Sequence, residues 1–142
     1  MNQTAILYPI AAMMALVFIV ACLMLKERIR DLKTLRIRPN DPRVASSSQM
    51  SATLKNTRAA DNYKNLFEVP VLFYALCLAL LFTQVVNSAW LGAAWLYVLL
   101  RVAHSFLHIA HNRVMIRLAV FLTSLCLLLS MWAVFVWQQA VR

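Results

Sequence analysis

The chain has 142 residues, carries a net charge of +9, is 63% hydrophobic and contains one glycine. So apolar a composition, with so few turn formers, excludes an ordinary soluble domain. The charge does not point to nucleic acid, because ten of the fourteen Lys and Arg residues fall between Lys26 and Lys64. Such clustering beside apolar stretches is a topology signal first and a contact with anionic lipid second.

Four apolar stretches, 6–25, 66–86, 89–109 and 118–137, each have the roughly 20 residues that cross the hydrocarbon of a bilayer. With their polar extensions they predict helices over about 5–30, 51–86, 89–111 and 116–138, with a loop over about 31–50. No repeat or second domain interrupts them, so residues 1–142 read as one all-α transmembrane unit. The segment before Lys26 and the Asn87-Ser88 turn carry no Lys or Arg. By the positive-inside rule, 26–65 and 110–117 are then cytoplasmic and both termini lie outside.

In chain order, the first helix begins near Thr4 with Pro9 in its opening turns, where proline is tolerated. Ile19-Val20-Ala21-Cys22 superficially resembles a lipoprotein cleavage site. The start lacks the positive region of a signal peptide, so the segment reads as a retained helix. Cys22, Cys77 and Cys126 each fall within a different span, with no metal or disulfide spacing. The helix leaves the membrane at Lys26-Glu27-Arg28-Ile29-Arg30-Asp31, which places Arg30 near the headgroups. Pro39-Asn40-Asp41-Pro42 and Ser46-Ser47-Ser48 then break the pattern, and Ser48 or Ser51 is the expected cap of the next helix.

The second helix carries a polar stripe of Arg58, Asp61, Asn62, Asn65 and Glu68, spaced by three and four, that runs into hydrocarbon. A carboxylate at that depth is expected to pair with a cation on a neighbouring helix, and Pro70 is expected to kink the chain. The Asn87-Ser88 turn is short, so the second and third helices are antiparallel neighbours. All three histidines lie on the third helix, where Arg101, His104, Ser105, His108, His111 and Asn112 share one side. Measured from the turns, Asn65, Glu68, His104, His108 and Arg117 fall in one layer. Trp132 and Trp137 mark an outer aromatic belt, as do Trp90, Trp95 and Tyr97. Ser88/Gly92 and Ala89/Ala93 give a small-residue spacing that permits close helix contact.

Three readings fit the polar layer. The first is binding of an anionic, amide-rich small molecule, with arginines on carboxylates and Arg117 beside a reacting atom. The second is a metal held by His104, His108 and His111, a weaker fit because an adjacent arginine repels a cation. The third is an interhelical hydrogen-bond stripe that fixes packing.

Arg58…Asn65-Leu66-Phe67-Glu68, together with Arg101-Val102-Ala103-His104-Ser105 and an arginine opening the fourth helix, resembles the MAPEG family. These are the membrane-associated proteins in eicosanoid and glutathione metabolism, and the likeness is greatest to the small bacterial members. It implies a four-transmembrane-helix up-down bundle that trimerises in a bacterial inner membrane, with glutathione bound between protomers. By that resemblance Arg117 stabilises the glutathione thiolate. Arg30, Arg58, Asn65, Glu68, Arg101, His104 and His108 are then the glutathione-binding set, and no metal is implied. A guanidinium beside a thiol supplies the nucleophile that conjugates or reduces hydrophobic electrophiles drawn from the bilayer.

The chain departs from many glutathione-using members, which have basic residues where it has Asp61 and Lys64, and at His108, where several have tyrosine. Leu118 and Phe121 stand in place of a serine and a tyrosine. Because the family includes a lipoxygenase-activating protein that binds lipid without chemistry, the alternative is a non-catalytic lipid-binding or scaffolding protein.

Overall fold

The computed structural model describes residues 2–38, 40–110 and 114–141. A short 3-10 turn, Gln3–Ile6, leads into α1, Leu7–Thr34. There follow a second 3-10 turn, Pro42–Val44, and α2, Ser47–Thr53. The remaining helices are α3, Arg58–Glu68; α4, Pro70–Phe82; α5, Ser88–Ala110; and α6, Val114–Ala140. Four helical stretches are long and apolar enough to span a bilayer: Gln3–Thr34, Arg58–Phe82, Ser88–Ile109 and Val114–Ala140. The fold is a four-helix membrane bundle in which α6 packs most extensively along α5, and α1 along α3.

The bundle is held by an apolar seam. Met13, Leu16 and Val20 of α1 meet Phe73, Leu76, Cys77 and Leu80 of α4, Trp90, Ala94, Tyr97 and Val98 of α5, and Leu128, Met131 and Phe135 of α6. Phe73 and Tyr97 stack with ring centres 4.6 Å apart. Phe18, Leu99, Phe106 and Val136 point outward and exposed, as lipid-facing residues do. Since lipid is as apolar as these side chains, close packing rather than exclusion of water holds the seam.

The helix ends explain the loops. α1 closes with Arg36 in the left-handed region at φ 53°, which lets the Ile37 amide donate to the Leu32 carbonyl at 3.0 Å. α4 ends the same way at Gln84, φ 55°, with the Val85 amide donating to Leu80. Both are the glycine-favouring C-terminal motif carried out by non-glycine residues. Asn87 then caps α5, its Oδ1 accepting from the Trp90 amide at 3.0 Å. Nearby, the Gln3 side chain both donates to and accepts from the backbone of Val86, at 3.2 and 2.9 Å.

Three local expectations are corrected. The helix expected from 51 is instead divided: α2 stops at Thr53 and α3 begins at Arg58. The expected loop over 31–50 is largely ordered, since α1 runs on to Thr34 and Ile37, Val44 and Leu54 make a small apolar cluster of their own. The cap of α2 is Ser46, neither Ser48 nor Ser51, because Gln49 three residues on completes a reciprocal capping box. At the start of that loop Asp41 accepts from the Arg43 side chain and then from its amide, which holds the carboxyl down at about 2.

Pro70 acts where the sequence places it. Without an N–H it cannot donate to the Leu66 carbonyl, so the ladder breaks at Val69, and the Leu72 amide donates to Val69 at 3.1 Å. Val69 keeps helical dihedrals, φ −67° and ψ −40°, so α3 hands over to α4 without leaving the helical region.

Candidate polar site between α3, α5 and α6

The inner face of α5 turns Tyr97, Arg101, His104, Ser105 and His108 toward its neighbours, and all five are buried. Arg101 is fully buried, and its Nη2 donates to the backbone carbonyl of Asn65 on α3 at 3.3 Å. Its guanidinium carbon also lies 5.8 Å from the centre of the Phe121 ring on α6. Four residues on, Ser105 donates to Oδ1 of the fully buried Asn62 at 3.4 Å. His104 faces α6, with Nδ1 3.3 Å from the Arg117 carbonyl oxygen. The His104 and His108 rings are 5.8 Å apart.

These contacts leave polar atoms without partners among the described residues: Arg101 Nε and Nη1, Asn62 Nδ2, Tyr97 OH, His104 Nε2 and His108 Nδ1. A buried donor left unmade costs roughly 1–3 kcal/mol, more when charged. Each such group invites a structural account, and their clustering on α5 and α3 makes this the candidate polar site.

The opening to this region is a cleft of 240 Å³ lined by Asn65, His104, Val114, Arg117, Leu118 and Phe121. Asn65, His104 and Arg117 therefore meet, as the sequence leads one to expect. Arg101 lies behind them against Asn65 and Phe121, and His108 lies beside His104.

The other named residues do not line the cleft, although Glu68 lies within electrostatic reach of Arg101 and Arg58 within reach of His108. Glu68 and Arg58 are exposed, and among the described residues Glu68 does not make the expected ion pair. Among the described residues the ion pair found is Arg43–Asp41, in the loop. Arg30 is exposed on α1 with Lys26, Ile29 and Lys33, away from the cleft. His111, Asn112 and Arg113 lie outside the described residues, so the three-histidine reading is met only by His104 and His108. No group of three metal-ligating side chains forms among the described residues.

Some site residues were not singled out from the sequence. Tyr97 reads there as an interfacial aromatic, yet it is fully buried against Phe73, its hydroxyl without a partner among the described residues. Its spacing of four before Arg101 was the available signal. Asn62 belonged to the α3 stripe but had no claim over Asn65 until Ser105 was seen to reach it.

Four spans long and apolar enough to cross a bilayer define a multi-pass integral membrane protein. The MAPEG family model matches residues 6–137, nearly the whole chain, and the protein belongs to the MAPEG family. Comparison with curated proteins and with solved structures gave no significant match.

Proposed function

We propose that this protein binds glutathione and uses its thiolate on hydrophobic electrophiles that enter from the bilayer, as a transferase or peroxidase. The observation that carries the reading is the convergence of Asn65, His104 and Arg117 on one cleft. Arg117 is the residue placed to stabilise the thiolate, and a cation there lowers the free energy of the ionised sulfur. Small-molecule sites usually enclose about 300–1,000 Å³, more than this cleft's 240 Å³. The cleft accordingly takes the thiol end, while the rest of the tripeptide lies against a neighbouring copy in a homotrimer. Glu68, Arg58 and Arg30, all exposed on one chain, are then free to meet it there.

A second reading, a non-catalytic lipid-binding protein, is favoured by an apolar cavity of 460 Å³ between α1, α3 and α4. Met14, Phe18, Tyr63, Phe67 and Tyr74 are among its walls. Calorimetry of glutathione against the purified protein, with thiolate absorbance and turnover followed alongside, separates the two. Saturable binding with an Arg117-dependent thiolate supports the first. A folded protein that binds no glutathione at several millimolar supports the second. Arg117→Ala is expected to abolish turnover and leave the assembly intact.

A further inference from the structure

The residues lining the cleft hold one group able to take up a proton. Val114, Leu118 and Phe121 are apolar, the Asn65 amide is not a base, and the Arg117 guanidinium is permanently charged. Only His104 remains. Its orientation is set, because a backbone carbonyl can only accept: the Nδ1 facing the Arg117 oxygen at 3.3 Å is the nitrogen that carries hydrogen. In the neutral ring the lone pair is then on Nε2, which is buried and has no partner among the described residues. The orienting contact and the anion-stabilising side chain come from one residue, since Arg117 supplies both the carbonyl and the guanidinium.

We infer that His104 is the proton acceptor of this cleft, taking the thiol proton of bound glutathione on Nε2. The S–H bond breaks as the N–H bond forms, and the thiolate is left beside Arg117. In addition to an electrophilic carbon, the sulfur lone pair forms the C–S bond and the imidazolium returns its proton to the adduct. The Phe121 ring, 5.7 Å from the His104 ring and 5.8 Å from the Arg101 guanidinium carbon, covers both groups. Among the described residues, the charged and titratable neighbours of the imidazole are Arg101 and His108 on its own helix and Arg117 on α6.

The assignment rests on the glutathione reading above, and its test separates the two. Full-length protein in detergent is mixed rapidly with glutathione, and thiolate absorbance is followed in the wild type and in His104→Gln. The amide of Gln can still donate to the Arg117 carbonyl but takes no proton. At saturating glutathione, thiolate formation is expected to slow by roughly 100-fold or more, the usual contribution of a general base, beyond any loss of affinity that calorimetry records. Binding with thiolate formation at the wild-type rate would overturn the role of His104 and leave the glutathione reading standing. No binding by the wild type overturns both. Should the Gln variant fail to fold, the wild type decides in D₂O: thiolate formation is expected to slow there, and an unchanged rate overturns the assignment.

Discussion

Asp31, three residues before the end of α1, accepts hydrogen bonds from both the backbone amide and the side-chain Nδ2 of Asn56, at 2.8 and 2.7 Å. One turn earlier Glu27 accepts from the Ala59 amide at 3.3 Å. Thr57 gives α3 no side-chain cap, so Glu27 of α1 serves an amide of its first turn while Asp31 holds Asn56, just before the cap. This fixes where α3 starts, and hence where Asn62 and Asn65 meet α5.

Asp31→Ala is expected to destabilise the protein by about 1.5–3 kcal/mol, the range for hydrogen bonds to a charged group. Thermal unfolding in detergent should show a midpoint lower by several degrees. Limited proteolysis should cut more readily between Arg36 and Thr57. An unchanged midpoint would mean that Asn56 finds water at no cost.

Arg36 and Gln84 hold left-handed backbone that glycine adopts without strain. Arg36→Gly and Gln84→Gly are each expected to raise stability by up to about 1 kcal/mol, whereas alanine at either position should not. Glycine variants that melt earlier would contradict this.

Arg101 is a buried cation whose one hydrogen bond goes to a carbonyl. Replacing such a charge by an apolar side chain of similar volume is often neutral or stabilising. Arg101→Met is therefore expected to melt at or above the wild-type temperature, while Arg101→Ala, which leaves a cavity, melts lower. An unstable Met variant would show that the guanidinium carries a counter-ion in the membrane.

Gly92 has nothing within 4 Å of where a Cβ would be, and it is exposed. The close helix contact suggested by its spacing is not made within one chain. Gly92→Ala is expected to stabilise the helix by roughly 0.5–1 kcal/mol. If light scattering instead showed a broken assembly, the residue would be a contact between copies.

Asp41, held at about 2 by Arg43, lies below the ordinary carboxylate value of 3.8. The pair's contribution to loop order is complete above the ordinary value and is lost as pH falls through about 2. Carboxyl chemical shifts across that range should titrate there in the wild type and near the ordinary value in Arg43→Ala.

The spans and the polar stripes were legible because both are periodic, and a period of 3.6 shows which residues share a face. The convergence of Asn65, His104 and Arg117 was legible for a further reason, that short turns force neighbouring helices into register. The start of α3 was not. Asp31 holds the approach through Asn56 and Glu27 takes the Ala59 amide of the first turn, both distant in sequence, and no local pattern at Lys55-Asn56-Thr57 records those partners. Ser46 was passed over although Gln49 stands at capping-box distance, because a run of three serines gave several candidates. That Arg30, Arg58 and Glu68 stay exposed and outside the cleft on one chain was likewise unreadable, since composition and spacing say which residues share a stripe but not which other molecule the stripe meets.

Arg101 is seated on the main-chain oxygen of residue 65, and the Asn65 side chain lines the cleft. The two attachments are chemically independent, because every amino acid brings the same carbonyl. A lineage could exchange the side chain at 65 and alter what the cleft accepts without unseating the cation behind it. The position is thus open to diversification on one side and insulated from it on the other.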